Sequence, residues 1–541
     1  MTDNDKPRGG KPSPSSGRSG GPSSGRSGGK PDDRAFEGKR REARPDSRSD
    51  SRSDDRKGPP RKGPPKGPFK GPRPPRREER RPDESAEEGA RRLAKAAEEK
   101  YDFLESKMPG LAARRAALDI LAIMRRGRSL DEALAQGRSF TVLQGPDRAF
   151  ARNMVSTCWR RRGSIDAIIG AYLDRPLPGK SIEVMDILRL AATQLVLLDT
   201  PAHAAVATAT ELAGQKQETR GYAKLVNAIC RRIAEKGKDQ LIALPLRTDT
   251  PGWLWRSLER AYGPALVTAI AEAHRTEAPL DLSLKPGADI SALTVLDGTI
   301  SHLPGHVRLS AAHDVTALPG FEAGDWWVQD IAASLPARLL GDVTGQRVLD
   351  LCAAPGGKTL QLAAAGARVT ALDISGNRLR RLQENLARTG LPAETIKADM
   401  LVWEPAEDSG GAFDAILLDA PCTATGTVRR NPDVAWAKSE QDVKDLTALQ
   451  TLMIDRALGF LKPGGLLVYC VCSLLVQEGE DQVKAALSRH GGLAIDPIAE
   501  VALPGLEKAI RKDGTIRTLP SMLATTGGMD GFYAAALRKP A

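Results

Sequence analysis

From residue 346 onward, short apolar runs alternate with stretches of helical periodicity, and a chain built this way folds most simply as a parallel sheet whose crossovers are helices. The runs fall at 348–351, 369–372, 415–418 and 466–471, and helical patterns at 360–365 and 378–388 follow the first two. Strands of a parallel sheet are covered on both faces, which suits runs that are mostly apolar. A doubly wound parallel sheet is expected, with ligands at the carboxyl ends of its strands.

The rest of the 541-residue chain is organised differently. Residues 1–88 are rich in Gly, Pro, Ser and Arg and cannot bury enough apolar surface to offset the entropy of ordering them, so disorder is expected there. Residues 1–82 hold 24 Lys+Arg against 12 Asp+Glu, and the remainder 55 against 56, so the net charge of +11 belongs to this tail. Such a segment suits electrostatic tethering to RNA, with a solubilising tail as the plain alternative.

Over 89–240 the apolar residues recur at three- and four-residue spacing, as in Leu118, Leu121, Ala122 and again Ile182, Met185, Leu188, with breaks at Gly163, 176–179 and Pro201. An all-helical domain of roughly seven helices follows. Its Arg160-Arg161-Arg162 and Arg231-Arg232 runs are suited to phosphate contacts or to capping helix ends. Residues 241–335 read as a linker with a helix over 253–275, then a small α+β module with a strand at 280–284. The sheet domain occupies 336–541.

Six cysteines in a chain of this length form no disulfide framework, and none has C-x-x-C zinc or redox spacing. There is no apolar run of membrane length, and a soluble cytoplasmic protein is expected.

The loop Cys352-Ala353-Ala354-Pro355-Gly356-Gly357-Lys358 joins the first strand to its helix. Gly357-Lys358-Thr359 ends like a P-loop, but Cys352 stands where the first glycine is needed and Pro355 removes an amide donor. The dinucleotide fingerprint G-x-G-x-x-G is also absent. S-adenosylmethionine has no phosphate to cradle; its ribose diol suits Asp373, at the next strand end, and its adenine amino group suits Asp399 after Ile396. Three strand-end acids with one small-residue loop point to a methyltransferase.

Asp419-Ala420-Pro421-Cys422 and Tyr469-Cys470-Val471-Cys472-Ser473 bring a carboxylate and two thiols to the same sheet edge. Carbon 5 of cytosine is too weak a nucleophile to take a methyl group unaided, and a thiolate adding at C6 makes it an enamine. A second thiol can assist when the C5 proton leaves and the first is eliminated. Asp419 suits the N3 and exocyclic amine of the base. Spacing leaves open which of Cys422 and Cys472 attacks. Cys158, Cys230, Cys352 and Cys470 read as buried small hydrophobes.

These motifs, with Thr423-Ala424-Thr425-Gly426 and Arg429-Arg430-Asn431-Pro432-Asp433 running on to Trp436, resemble the RsmB-like (Sun or Fmu) ribosomal RNA 5-methylcytosine methyltransferases from about residue 110 to the C-terminus. The resemblance implies Cys472 as nucleophile, Cys422 in product release, and Asp419 at the target base and cofactor. It implies S-adenosylmethionine on Cys352, Ala353, Ala354, Pro355, Gly356, Gly357, Lys358, Asp373, Asp399 and Asp419, and RNA near Arg429 and Arg430. Val471 departs from the Thr usual before the nucleophile. Pro201-Ala202-His203-Ala204-Ala205-Val206 and Leu225-Val226-Asn227-Ala228-Ile229 are similar to a NusB-like RNA-binding domain, in which His203 is a turn or helix-start residue.

The fold this implies is multidomain: a disordered basic tail, an all-α NusB-like domain, a small α+β RNA-binding-like module and an α/β Rossmann-like methyltransferase core. The implied substrate is ribosomal RNA of the small subunit, free or in an assembling subunit, acted on by a monomer. Rival readings are a DNA cytosine methyltransferase, and an RNA-binding assembly or antitermination factor with a vestigial methyltransferase fold. With 4% aromatic residues a wide stacking platform is not expected. Trp436 and the Phe532-Tyr533 pair are candidate neighbours of an unstacked base.

Overall fold

The computed structural model describes residues 86–296, 299–309, 314–405, 412–497 and 503–541. The tail expected to be disordered therefore lies outside the described residues up to residue 85.

Between Ala86 and Ala243 the described chain forms ten helical segments, of which Arg138–Thr141 and Gln217–Arg220 are single turns. Single turns are too short to show a 3.6-residue period, which is why the sequence suggests fewer. The apolar faces of Leu111–Met124 and Ile182–Val196 share one core, where Leu118, Ile120, Ile187, Leu188 and Ala191 are buried. Ser129 starts Leu130–Gln136 with a capping box closed by Glu132.

Gly252–His274 is one helix bent at Gly263, whose φ is +78°, with Pro264 beside it. A left-handed glycine followed by a residue without an N–H interrupts the ladder there. Leu254 and Leu258 before the bend and Val267 and Ile270 after it share a core with Val428, Leu474 and Leu475 of the catalytic domain.

A small antiparallel sheet follows, with β1 (Leu280–Leu284) between β2 (His306–Leu309) and β3 (Trp326–Val328). Asp281 and Arg308 stand opposite each other across β1 and β2 and form a buried bidentate pair at 2.6 and 2.7 Å.

The catalytic sheet contains β4 (Arg347–Leu351), β5 (Arg368–Asp373), β6 (Glu394–Lys397), β7 (Phe413–Asp419), β8 (Leu461–Val471), β9 (Ala494–Ile495), β10 (Ile516–Thr518) and β11 (Phe532–Arg538). Its order is β10-β11-β8-β7-β4-β5-β6, with β9 against β11. Strands β4 to β8 are parallel, as expected, but β11 runs antiparallel to β8 and β10 antiparallel to β11. The expectation of a purely parallel sheet is thereby corrected: the alanine-rich C-terminal strand, which carries little strand propensity and so gives no sequence signal, is inserted antiparallel between β8 and β10.

Side chains alternate between the two faces with period two. Val348, Leu417 and Val468 pack with Ile331 and Leu335 of the helix Ile331–Arg338, whereas Leu349, Ile416, Leu418 and Leu467 pack with Met453, Ile454 and Ala457 of the helix Glu440–Phe460. Successive strands are added outward in opposite directions from β4 and β7, so the switch point lies above their carboxyl ends.

Candidate active site

The loop leaving β4 is shaped by its own backbone and by Asp373. Cys352 adopts a left-handed φ of 60°, and the Ala353 N–H donates to the Leu372 carbonyl at 3.1 Å. The Ala354 N–H donates to Asp373 Oδ2 at 3.1 Å, and Arg378 donates to the Ala354 carbonyl. Gly356 then opens the helix Gly357–Ala364 at φ +109°, where a Cβ would stand 2.2 Å from Leu382 Cδ1. Only glycine leaves this cradle open.

Asp373 is buried, and its Oδ1 accepts from the Ser375 N–H at 2.8 Å. Asp399 is half-buried and accepts from the Leu401 N–H at 3.0 Å. With Asp419 ending β7, all three carboxylates lie at the carboxyl ends of strands, and Asp373 and Asp419 contact the 352–358 loop.

Lys358 turns from this loop toward Asp419, with Nζ to Oδ2 2.8 Å, and lies 5.0 Å from the Phe532 ring centroid. Burial acts to lower its pKa, but Asp419 outweighs burial and holds the ammonium above its ordinary value. Cys470 Sγ lies 3.7 Å from Asp419 Oδ1. Beneath them Asp350 is wholly buried and accepts from the Thr359 hydroxyl at 2.6 Å; burial pushes its carboxyl up to about 7.

Cys422 and Cys472 meet with their sulfurs 3.5 Å apart, each half-buried. The Ala420 N–H extends the β7–β8 ladder to the Cys470 carbonyl at 3.0 Å, and the Gly426 N–H reaches the Cys472 carbonyl at 3.0 Å. The hydrogen bond with Cys472, and then burial, hold the Cys422 thiol well above its ordinary pKa. Burial raises Cys470 and Cys352 likewise, and pushes Cys158 up to about 11 and Cys230 to about 12.

The arginines expected at the RNA are placed otherwise. Arg429 is buried, 3.1 Å from Asp330 Oδ2 and bonded to the Gly527 carbonyl. Its charge is committed to these partners inside the fold. Arg430 is tied to Asp530, with Nε to Oδ2 2.8 Å, and keeps part of its side chain exposed. The pull of Asp530 and Asp330 overcomes burial and raises its pKa, and Cys472 adds to that pull.

Arg160, Arg161 and Arg162 also face inward: Arg160 donates to the Arg429 carbonyl at 2.6 Å, Arg161 to Asp249 at 2.8 Å, and Arg162 stacks between Trp159 and Trp436. Arg231 donates to Asn227, and Arg232 covers Tyr172. Trp436 packs in the core beneath the bent helix, Phe532 and Tyr533 are buried in β11, and His203 is an exposed residue at the start of Ala202–Gln215.

Two features escape the sequence reading. Asp433 accepts from the Leu130 N–H at 3.3 Å, so the arginine-bearing segment also caps a helix of the helical domain. Glu478 is a buried carboxylate that accepts hydrogen bonds from the residue after each active-site cysteine. Its signal was a Glu six residues past Cys472 with Glu480 and Asp481 close behind, which no spacing rule distinguishes from surface acids.

Residues 337–538 match the family model described as 16S rRNA methyltransferase RsmB/F, and residues 111–235 match that of the NusB family. Ribosomal RNA small subunit methyltransferase B of Erwinia tasmaniensis is 33% identical over 441 residues, covering 78% of this chain and 97% of that protein. The protein so named in Xanthomonas campestris pv. campestris is 36% identical over 412 residues, covering 73% and 92%. Of the solved structures, one described as the crystal structure of PH0851 aligns with TM-score 0.65 over 80% of this chain and 99% of that one, at 21% identity, a likeness of fold.

Proposed function

The chain belongs to the family of ribosomal RNA small subunit methyltransferase B, and from that premise we propose that it methylates C5 of a cytosine in small-subunit ribosomal RNA through a transient bond between Cys472 and C6. The observation that carries this reading is the pair of thiols 3.5 Å apart beside the Lys358–Asp419 ion pair. A single nucleophilic cysteine would serve many chemistries; two in contact suit one that must first attach to a base and then be released from it.

The residues present fit S-adenosylmethionine. Gly356 leaves room for close approach, and the Asp373 and Asp399 carboxylates keep lone pairs for a diol and an amine. When bound, this cofactor supplies an electrophilic methyl group on a sulfonium. Cys472 adds to C6 while the Lys358–Asp419 pair holds the N3 edge, and the Lys358 ammonium stabilises the negative charge pushed into the ring. Cys422, kept as a thiol at the start, gives up its proton to solvent once Cys472 is bonded to C6; its thiolate then takes the C5 proton, and the C5–H electrons form the C5=C6 bond as the bond from C6 to sulfur breaks and Cys472 leaves as a thiolate. The helical domain and the basic 1–88 segment contribute RNA binding. In the described residues no helix is long and apolar enough to cross a membrane.

The test is a denaturing gel of Cys422→Ala and Cys472→Ala variants incubated with S-adenosylmethionine and unmodified ribosomal RNA. A nuclease-sensitive shifted band with Cys422→Ala alone is expected, because the adduct forms and is not released. A band with Cys472→Ala alone reverses the roles, and no band with either removes support for the covalent route.

A further inference from the structure

Each of the two thiols is followed in the chain by a hydroxyl residue, Thr423 after Cys422 and Ser473 after Cys472, and both hydroxyls converge on Oε2 of Glu478. Oε1 of the same carboxylate accepts from the Thr423 N–H at 2.8 Å and from Gln450 Nε2 at 3.2 Å. Gln450 also donates to the carbonyl of Pro421, the residue before Cys422, at 2.9 Å. The four donors occupy both carboxylate oxygens, and all four are neutral.

Glu478 is itself fixed, since it is wholly buried and its carbonyl accepts from the buried Tyr469 hydroxyl at 2.5 Å. The two cysteines belong to different loops, one leaving β7 and the other β8, and the paired register of those strands ends at Asp419 and Cys470. Beyond it, the loops are tied by the backbone bond from the Gly426 N–H to the Cys472 carbonyl and otherwise by side chains. A buried carboxylate satisfied by neutral donors alone is a poor device for stability, because apolar residues of similar volume would avoid its desolvation cost. What it offers instead is direction, with four acceptor positions that fix two loops to one point.

We infer that Glu478 is the positioning residue that sets the separation of the Cys422 and Cys472 thiols by clamping the residue that follows each. The inference deepens the reading above, in which both thiols act on one base. Displacement of a reacting group by about 1 Å can cost about 100-fold in rate, so losing the clamp reduces catalysis without touching a group that meets substrate.

The experiment reads the sulfur spacing directly and without catalysis. Diamide takes up two thiol hydrogens and leaves a disulfide, and its rate of joining Cys422 to Cys472 is followed by peptide mapping in the full-length protein, with circular dichroism as the check on folding. Wild type, with its sulfurs 3.5 Å apart, is expected to cross-link readily. Glu478→Gln, which retains the shape and can still bond both hydroxyls, is expected to stay within about threefold of it, and Glu478→Ala to slow by about tenfold or more. Ser473→Ala removes one arm of the clamp, and its slowing decides the question if Glu478→Ala does not fold.

In parallel, single-turnover methyl transfer by Glu478→Ala is expected to fall by about 100-fold with S-adenosylmethionine affinity unchanged, and to be largely restored in Glu478→Gln. Folded variants that all cross-link at the wild-type rate overturn the inference. Slowed cross-linking in a protein that transfers no methyl group to cytosine leaves the clamp standing and removes the functional reading instead.

Discussion

Lys358 Nζ lies 2.8 Å from Asp419 Oδ2, so the last residue of the cofactor loop and the last residue of β7 face the site as one ion pair. Neither element alone would place a charge there; the switch point between β4 and β7 brings them together.

Lys358→Met leaves Asp419 without its cation. The expected loss of stability is about 2 kcal/mol, below the roughly 3–5 kcal/mol of a fully buried broken pair because water reaches part of the Asp419 side chain. Methyl transfer should fall by at least about 100-fold, since the pair neutralises charge that develops only during reaction. Calorimetry and single-turnover assays check the two effects separately, and transfer at the wild-type rate would sink the role given to the pair.

Gly356→Ala places a Cβ 2.2 Å from Leu382 Cδ1 at a φ of +109°. Strain and overpacking together should cost about 1–3 kcal/mol and weaken S-adenosylmethionine binding. Adding Leu382→Ala relieves the clash but not the backbone strain, so affinity should recover only in part. Titration calorimetry reads this directly, and wild-type affinity in Gly356→Ala would mean that the cofactor does not lie on this loop.

The strands β4, β5, β7 and β8 were legible because each is a mostly apolar run, whereas β6, Glu394–Lys397, is too polar to stand out. Phe532–Arg538 was not legible either, since Ala534, Ala535 and Ala536 take their strand state from β8 and β10 on either side. The thiols were legible as residue types at one sheet edge. Their contact was not, because it depends on Glu478, which lies in a short 3-10 turn, Val476–Glu478, with no pattern of its own. The burial of Arg429 was not legible for a related reason: it looks like any cation in a loop until Asp330, 99 residues earlier in the chain, is brought beside it.

Arg160→Ala tests how firmly the helical domain grips the catalytic one. Arg160 Nη1 donates to the carbonyls of Arg429, Thr276 and His274 at 2.6, 3.0 and 3.4 Å. Removing a donor shared by partly buried acceptors should cost about 2 kcal/mol, and Arg160→Lys less. Calorimetry should show the helical and catalytic domains melting farther apart in Arg160→Ala, and an unchanged profile would mean that this contact does not couple them.

Asp350 makes stability depend on pH with a definite sign. Burial pushes its carboxyl up to about 7, with the Thr359 hydroxyl and Lys358 opposing that shift. The folded protein thus keeps a proton that the unfolded chain releases near an ordinary pKa of about 3.9. The folded state binds more protons across this window, so the contribution of Asp350 to stability falls as pH rises from about 4 to about 7. Asp350→Asn removes the charge while retaining an oxygen to accept the Thr359 hydroxyl, and it leaves a polar atom at the position where Oδ1 now has no partner. The comparison therefore isolates ionisation. Urea denaturation should show the variant about equal to wild type near pH 4 and more stable by something on the order of 3 kcal/mol near pH 8. If wild type instead gains stability relative to the variant across that interval, Asp350 is a stabilising ionised carboxylate, and the cofactor loop rests on a charge instead of a neutral acid.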